Sequence, residues 1–135
     1  TQYCGQWIKY GTWHPEWKEK LYHKNYYQWD DKPVHERLIP FQKQGKTSKL
    51  PGLLLHAAYA THKELESKLE AYARIFVQNR KEKKLHISSL KRYFSPMYHF
   101  LRSYLWRRGF KDGQAGYKIA KALKTYHRKK LEPKY

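Results

Sequence analysis

A single cysteine, Cys4, excludes an internal disulfide and any zinc motif built on paired cysteines. Acidic side chains are also scarce, with 11 Asp+Glu against 29 Lys+Arg, a formal net charge of +18. The longest mostly apolar run, residues 50–60, is about half of the roughly 20 residues that cross a bilayer and is interrupted by Pro51 and His56. No basic, apolar and small-residue succession at the start marks a signal peptide. The eight histidines include no His-Glu-x-x-His and no other close ligand spacing on one helix, which argues against a dedicated zinc site.

What is present is a chain of 135 residues, long enough for one modest core. Thr1 stands where Met would begin a gene product, so we expect a processed chain or part of a longer one. A charge of +18 on a chain this small is self-repelling unless an anionic partner or counterions screen it. Residues 1–60 hold nine Lys+Arg and five Asp+Glu, so most of the basic excess lies in residues 61–135.

Periodicity divides the chain at the same place. Residues 1–60 are rich in aromatics, Gly and Pro without a sustained helical repeat, whereas residues 61–130 show the 3.6-residue period repeatedly. The expectation is an α+β fold: an irregular part with short strands over 1–60, then about three amphipathic helices over 61–135. Lys18–Lys24 alternates as a strand would, and the run LLLHAAY within residues 48–59 suggests a buried strand ending near His56.

The first helix is announced by Thr61 and Glu64, a capping-box pair, and should run from about His62 to Lys81 with Leu65, Leu69, Tyr72, Ala73 and Phe76 inward. Ser95 before Pro96 predicts the start of a second helix, with Met97, Leu101, Tyr104 and Leu105 as its apolar stripe and Arg107, Arg108 and Gly109 as its stop. Asp112 should cap a third helix reaching about Arg128, with Ile119, Ala120, Leu123 and Tyr126 inward. Lys118, Lys121, Lys124 and Arg128 recur at three- or four-residue steps along it, a candidate anion-binding strip.

In WDDKPVHERL a carboxylate and an imidazole, Glu36 and His35, adjoin Trp29, Asp30 and Asp31. That is the composition of a site; it also fits a surface loop in which Glu36 pairs with Arg37 or Lys32. The 17% Phe, Trp and Tyr interleaved with Lys would suit base stacking, but no recognised nucleic-acid module is legible. The segment LKRYFSPMYHFLRSYLWRRGF mixes Leu, Met and aromatics with Lys91, Arg92, Arg102, Arg107 and Arg108. This mixture fits a helix lying on an anionic headgroup layer and equally an ordinary amphipathic helix of a basic protein.

Order along the chain adds a further signal. Trp13-x-Pro15, then Lys20 to Lys24 (KLYHK), a Trp, Val34-His35-Glu36, LLLHAAYAT, a capped helix and FLRSYLWRRGFKDGQAG follow one another. This succession resembles the C-terminal half of bacterial family 2 glycosyltransferases, most of all those similar to lipopolysaccharide core β-glycosyltransferases. The resemblance implies a GT-A-type enzyme that binds a nucleotide-sugar donor with a divalent metal, Mg or Mn, and transfers the sugar with inversion to a glycan or lipid-linked acceptor. It implies Glu36 as general base, His35 as the group that orients it, and Trp29, Asp30, Asp31 and Lys20 as acceptor- or donor-side residues, with the two aspartates as rival bases. His56 matches a family histidine that completes the metal shell or meets the donor diphosphate, although Ala58 stands where the family has Ser.

No Asp-x-Asp occurs in the chain, so the donor site is expected in an N-terminal nucleotide-binding half, and these residues alone should be inactive. Arg102, Arg107, Arg108, Lys118, Lys121 and Lys124 would hold such an enzyme to an anionic membrane surface, peripheral to the inner face of the cytoplasmic membrane. The alternative is a non-enzymatic basic module that binds RNA or another polyanion.

Overall fold

The computed structural model describes residues 1–31, 37–41, 48–82 and 86–132. These residues form an α+β arrangement of five short strands and three α-helices. Two compact units are formed, one from Thr1–Glu16 with Leu55–Tyr135 and the other from Trp17–Leu54, so the change of composition at residue 60 is not where the units part.

The larger unit opens with a tight hairpin, β1 (Gln2–Tyr3) and β2 (Gln6–Trp7). Cys4 and Gly5 both have positive φ, 48° and 79°, the conformation that two-residue hairpin turns require at both central positions. The lone cysteine is thus an exposed turn residue. β5 (Ala57–Tyr59) lies parallel to β1, tied by the amides of Gln2 to the His56 carbonyl (2.7 Å) and of Cys4 to the Tyr59 carbonyl (2.8 Å). The strand expected in LLLHAAY, buried and ending near His56, begins instead at Ala57, and none of its three residues is fully buried. β1 offers only two residues to pair with, and Leu53 remains 80% exposed.

Helix α1 (His62–Glu82) starts as its sequence predicts. Thr61 Oγ1 accepts from the Glu64 amide at 3.2 Å, and Glu64 Oε2 accepts from the Ala60 amide at 2.8 Å, one residue before the cap. Leu65, Ala73 and Val77 form its buried line, while Tyr72 and Phe76 sit at the exposed margin. Helix α2 (Ser89–Leu101) begins seven residues earlier than Ser95–Pro96 suggests. Ser88 is the cap, its Oγ accepting from the Lys91 amide at 3.3 Å, and Pro96 lies inside the helix, where it leaves one backbone bond unmade. The chain continues as a π-helical turn, Arg102–Trp106, and a 3-10 turn, Gly109–Asp112, before α3 (Gly113–Lys129).

The core gathers Tyr3, Ile8, Leu65, Ala115, Ile119 and Ala122, with Trp13, Tyr59, Leu69 and Leu123 packed on it. Leu65 is fully buried, a contribution of about 1.5–3 kcal/mol from removal of its side chain from water. Beyond the core, cations meet the carbonyl end of α3. Arg80 donates to the carbonyls of Lys130 (3.0 Å) and Glu132 (2.9 Å), and Arg92 to that of Leu131 (3.2 Å). Positive charge at a helix C-terminus is favourable, so part of the basic excess works inside the fold.

In the smaller unit, β3 (Tyr27–Trp29) and β4 (Leu38–Pro40) form an antiparallel pair. The strand expected over Lys18–Lys24 is absent. No described strand lies alongside that segment to take its backbone groups, and Leu21 is 78% exposed.

Candidate functional site

His35 and Glu36, the expected orienting group and base, lie outside the described residues, between β3 and β4 in the chain. What flanks them is defined. Asp30 and Arg37 exchange backbone contact (Asp30 N–H to Arg37 carbonyl, 2.9 Å), and Asp30 Oδ1 accepts from the Arg37 amide at 2.8 Å. The Asp30 carboxylate thereby has a structural task at the end of the hairpin. Trp29 donates from Nε1 to the Tyr22 hydroxyl at 3.1 Å and meets the Tyr22 ring edge-on. Asp31 and Lys20 are exposed in the same unit.

His56 belongs to the larger unit. Its carbonyl serves β1, and its imidazole is exposed. Among the described residues no three His, Cys, Asp or Glu side chains converge as a metal site.

The tract GTW and the tract RRGFKDGQAG, about a hundred residues apart, form one packed knot. Gly11 donates its amide to the Arg107 carbonyl at 2.9 Å. Arg108, at φ 57°, takes the left-handed conformation expected of the glycine after a helix, and Gly109 serves a different purpose. A Cβ at Gly109 would lie 2.6 Å from the Ser103 carbonyl oxygen, and one at Gly116 would overlap the Gly109 carbonyl. Only bare backbone fits at these two crossings.

Asp112 does not cap α3 with its side chain, contrary to expectation. It is buried, and its two oxygens accept from the amides of Lys9 (3.2 Å) and Tyr10 (2.9 Å), which have no strand partner. Trp13 of the Trp-x-Pro tract in turn stacks on Tyr59 at the end of LLLHAAY, with ring centroids 5.4 Å apart.

The predicted cations are distributed along two elements. Arg102, Arg107 and Lys124 are half-buried, Lys124 over the Phe100 ring at 6.0 Å, whereas Arg108, Lys118 and Lys121 are exposed. The expected apolar stripe of α2 is divided: Leu101 and Tyr104 are half-buried, and the rest faces solvent. Leu90, Tyr93, Phe94, Met97 and Tyr98 are exposed, as are Leu105 and Trp106 in the turn that follows. The side of α2 that is covered carries Arg92, Ser95, Pro96, His99 and Phe100. Lys91 and Arg102 each stand one position beyond a stripe residue and border it.

His99 stacks on His127 of α3 with centroids 3.3 Å apart and planes at 6°. Burial, then Lys130, then His99 push His127 down to about 3, and its Nδ1 is buried without a hydrogen-bond partner. His99 is lowered by burial, Lys130 and Arg102.

A groove that sequence reasoning did not anticipate lies between the first turn of α1 and the middle of α3. His62 and Glu66 line one side, and Gln114, Tyr117, Lys118, Lys121, Ala122 and Thr125 the other. Its only trace in the sequence is the helical spacing of each set. That α1 and α3 face each other there follows from tertiary packing.

Comparison with protein-family models, curated proteins and solved structures returned no match.

Proposed function

We propose that this chain is the acceptor-side portion of an inverting, GT-A-type glycosyltransferase of the family 2 kind, acting on a glycan or lipid-linked acceptor at an anionic membrane surface on the cytoplasmic side. The observation that carries this reading is the knot. The tracts on which the resemblance rests, Trp-x-Pro, LLLHAAY and RRGFKDGQAG, are far apart in the chain and are joined through Trp13–Tyr59 stacking and the Asp112 and Gly109 contacts. Their mutual packing supports reading the tracts as one unit rather than as separate coincidences of sequence.

In this reading Glu36 takes the proton of an acceptor hydroxyl while its oxygen bonds to the anomeric carbon of the donor, and the bond from that carbon to the nucleotide diphosphate breaks. His35 orients the carboxylate, and Trp29, Asp30, Asp31 and Lys20 contribute to the acceptor or donor side, the two aspartates being the rival bases. A divalent ion, Mg or Mn, would be held mainly by the nucleotide-binding half, with His56 supplying at most one ligand. It would offset charge on the departing diphosphate.

The outward stripe of α2, bordered by Lys91 and Arg102, supports the membrane part of the proposal. An apolar band edged with cations suits an interface of acyl chains and anionic headgroups. No helix among the described residues is long and apolar enough to cross a membrane, so contact would be from one side.

Glu36→Gln in the complete protein tests the assignment. Sugar transfer should fall about 10²–10⁴-fold while donor binding is retained, and undiminished transfer would contradict the role of Glu36. A second reading, a non-enzymatic module for RNA or another polyanion, draws on the charge of +18 and on lysines held over aromatic rings, such as Lys49 over Trp17 at 4.6 Å. It predicts RNA affinity that falls steeply with salt and no response of the complete protein to a nucleotide sugar.

A further inference from the structure

The groove between α1 and α3 has a volume of about 340 Å³, within the range of about 300–1,000 Å³ that small-molecule sites occupy. Its α3 wall is one helical face: Gln114, Tyr117, Lys118, Lys121 and Thr125 recur at three- and four-residue steps. Lys118 and Lys121 are exposed, and neither pairs with a carboxylate among the described residues. The opposite wall carries the carboxylate of Glu66.

That carboxylate is positioned. Tyr3 is buried and, held protonated by burial, donates its hydroxyl to His62 Nδ1 at 2.7 Å. Accepting at Nδ1 places the ring proton on Nε2, which faces Glu66 Oε1 at 3.4 Å. The contact leaves Glu66 Oε2 available as an acceptor.

Two ammonium groups on one wall and a carboxylate on the other select the ligand. A bare phosphate would satisfy the lysines and be repelled by Glu66. A neutral sugar would donate to Glu66 and leave the lysines unanswered. We propose that the groove binds a phosphorylated sugar, with its phosphate on Lys118 and Lys121, a ring hydroxyl donating to Glu66, and Tyr117 and Ala122 as the apolar wall. A free sugar phosphate and the sugar-phosphate headgroup of a lipid share this chemistry. The site is independent of glycosyl transfer, since binding there needs neither Glu36 nor a nucleotide donor.

The test follows the His62 ring signals by NMR while the chain is titrated with glucose 6-phosphate, glucose and inorganic phosphate at equal ionic strength. Glucose 6-phosphate should shift them and bind at least tenfold more tightly than either of the others. Lys118→Gln with Lys121→Gln should weaken that binding at least tenfold, and Glu66→Gln should narrow the gap between glucose 6-phosphate and inorganic phosphate. Equal binding of inorganic phosphate and glucose 6-phosphate would overturn the proposal, as would undiminished binding by the double lysine variant. Displacement of glucose 6-phosphate by vesicles containing phosphatidylinositol 4-phosphate, but not by phosphatidic acid vesicles of equal charge, would uphold the site and assign it to a lipid headgroup. Binding without such displacement would uphold it for a soluble ligand.

Discussion

Helices α2 and α3 are both amphipathic, and they use the property in opposite directions. In α3, Ala115, Ile119, Ala120 and Ala122 are buried and the cations Lys118 and Lys121 are outside. In α2 the covered side carries Ser95, Pro96 and His99, and Leu90, Tyr93 and Phe94 look outward, with Leu90 71% and Tyr93 79% exposed. A helical stripe of apolar residues therefore shows that one face differs from the other; which face the fold covers depends on the neighbours. For α2 the neighbour is α3, approached through Ser95, Pro96, His99 and the Phe100 ring, and the more apolar side is left exposed.

The contrast can be broken most severely at the knot that fixes where α2 ends and α3 begins. Gly116→Ala would place a methyl group against the Gly109 carbonyl, so the two segments must separate. A loss of about 2–3 kcal/mol is expected in denaturant unfolding, despite the better helix propensity of Ala. Asp112→Ala removes the acceptor of the Lys9 and Tyr10 amides. Leaving two partly buried donors unpaired should cost about 1–3 kcal/mol, measured in the same way.

The covered side of α2 gives the next effect. His127 titrates near 6.5 when unfolded and is held down to about 3 in the fold, chiefly by burial. The unfolded chain binds the extra proton between those values, so stability is complete above about pH 6.5 and declines as the pH falls toward 3. His99 is lowered as well and adds to the same trend. The melting temperature should drop between pH 7 and pH 5, and His127→Phe should flatten that dependence. An unchanged slope in the variant would place the acid sensitivity elsewhere.

Much of the larger unit could be read from the sequence where local chemistry decides. The Thr61–Glu64 pair placed the start of α1, and the spacing of Ile119, Ala120 and Leu123 placed α3 and its inward face. Reading failed where a partner decides. Ser95–Pro96 has the look of a helix start, but Ser88, with no acidic residue three positions on, is the cap. Asp112 resembles a cap and instead serves amides a hundred residues earlier. Gly109 resembles a helix stop, yet its conformational task is taken by Arg108.

The candidate site divides in the same way. The lysine strip was visible as periodicity, whereas the groove it shares with His62 and Glu66 arises from packing between segments some fifty residues apart. Asp30, weighed as a rival base, also holds the Arg37 amide, a contact that its place in the sequence did not announce.

The most direct test of the outward role of α2 is co-sedimentation of the chain with phosphatidylglycerol-containing vesicles, comparing it with a variant carrying Leu90→Ser, Phe94→Ser and Leu105→Ser. Exposed substitutions should each change folding stability by no more than about 0.5 kcal/mol, while loss of three inserting side chains should weaken vesicle binding at least tenfold, about 1.4 kcal/mol. Vesicle binding that is unchanged in the variant, or a variant that unfolds as though its core had been cut, would contradict the account.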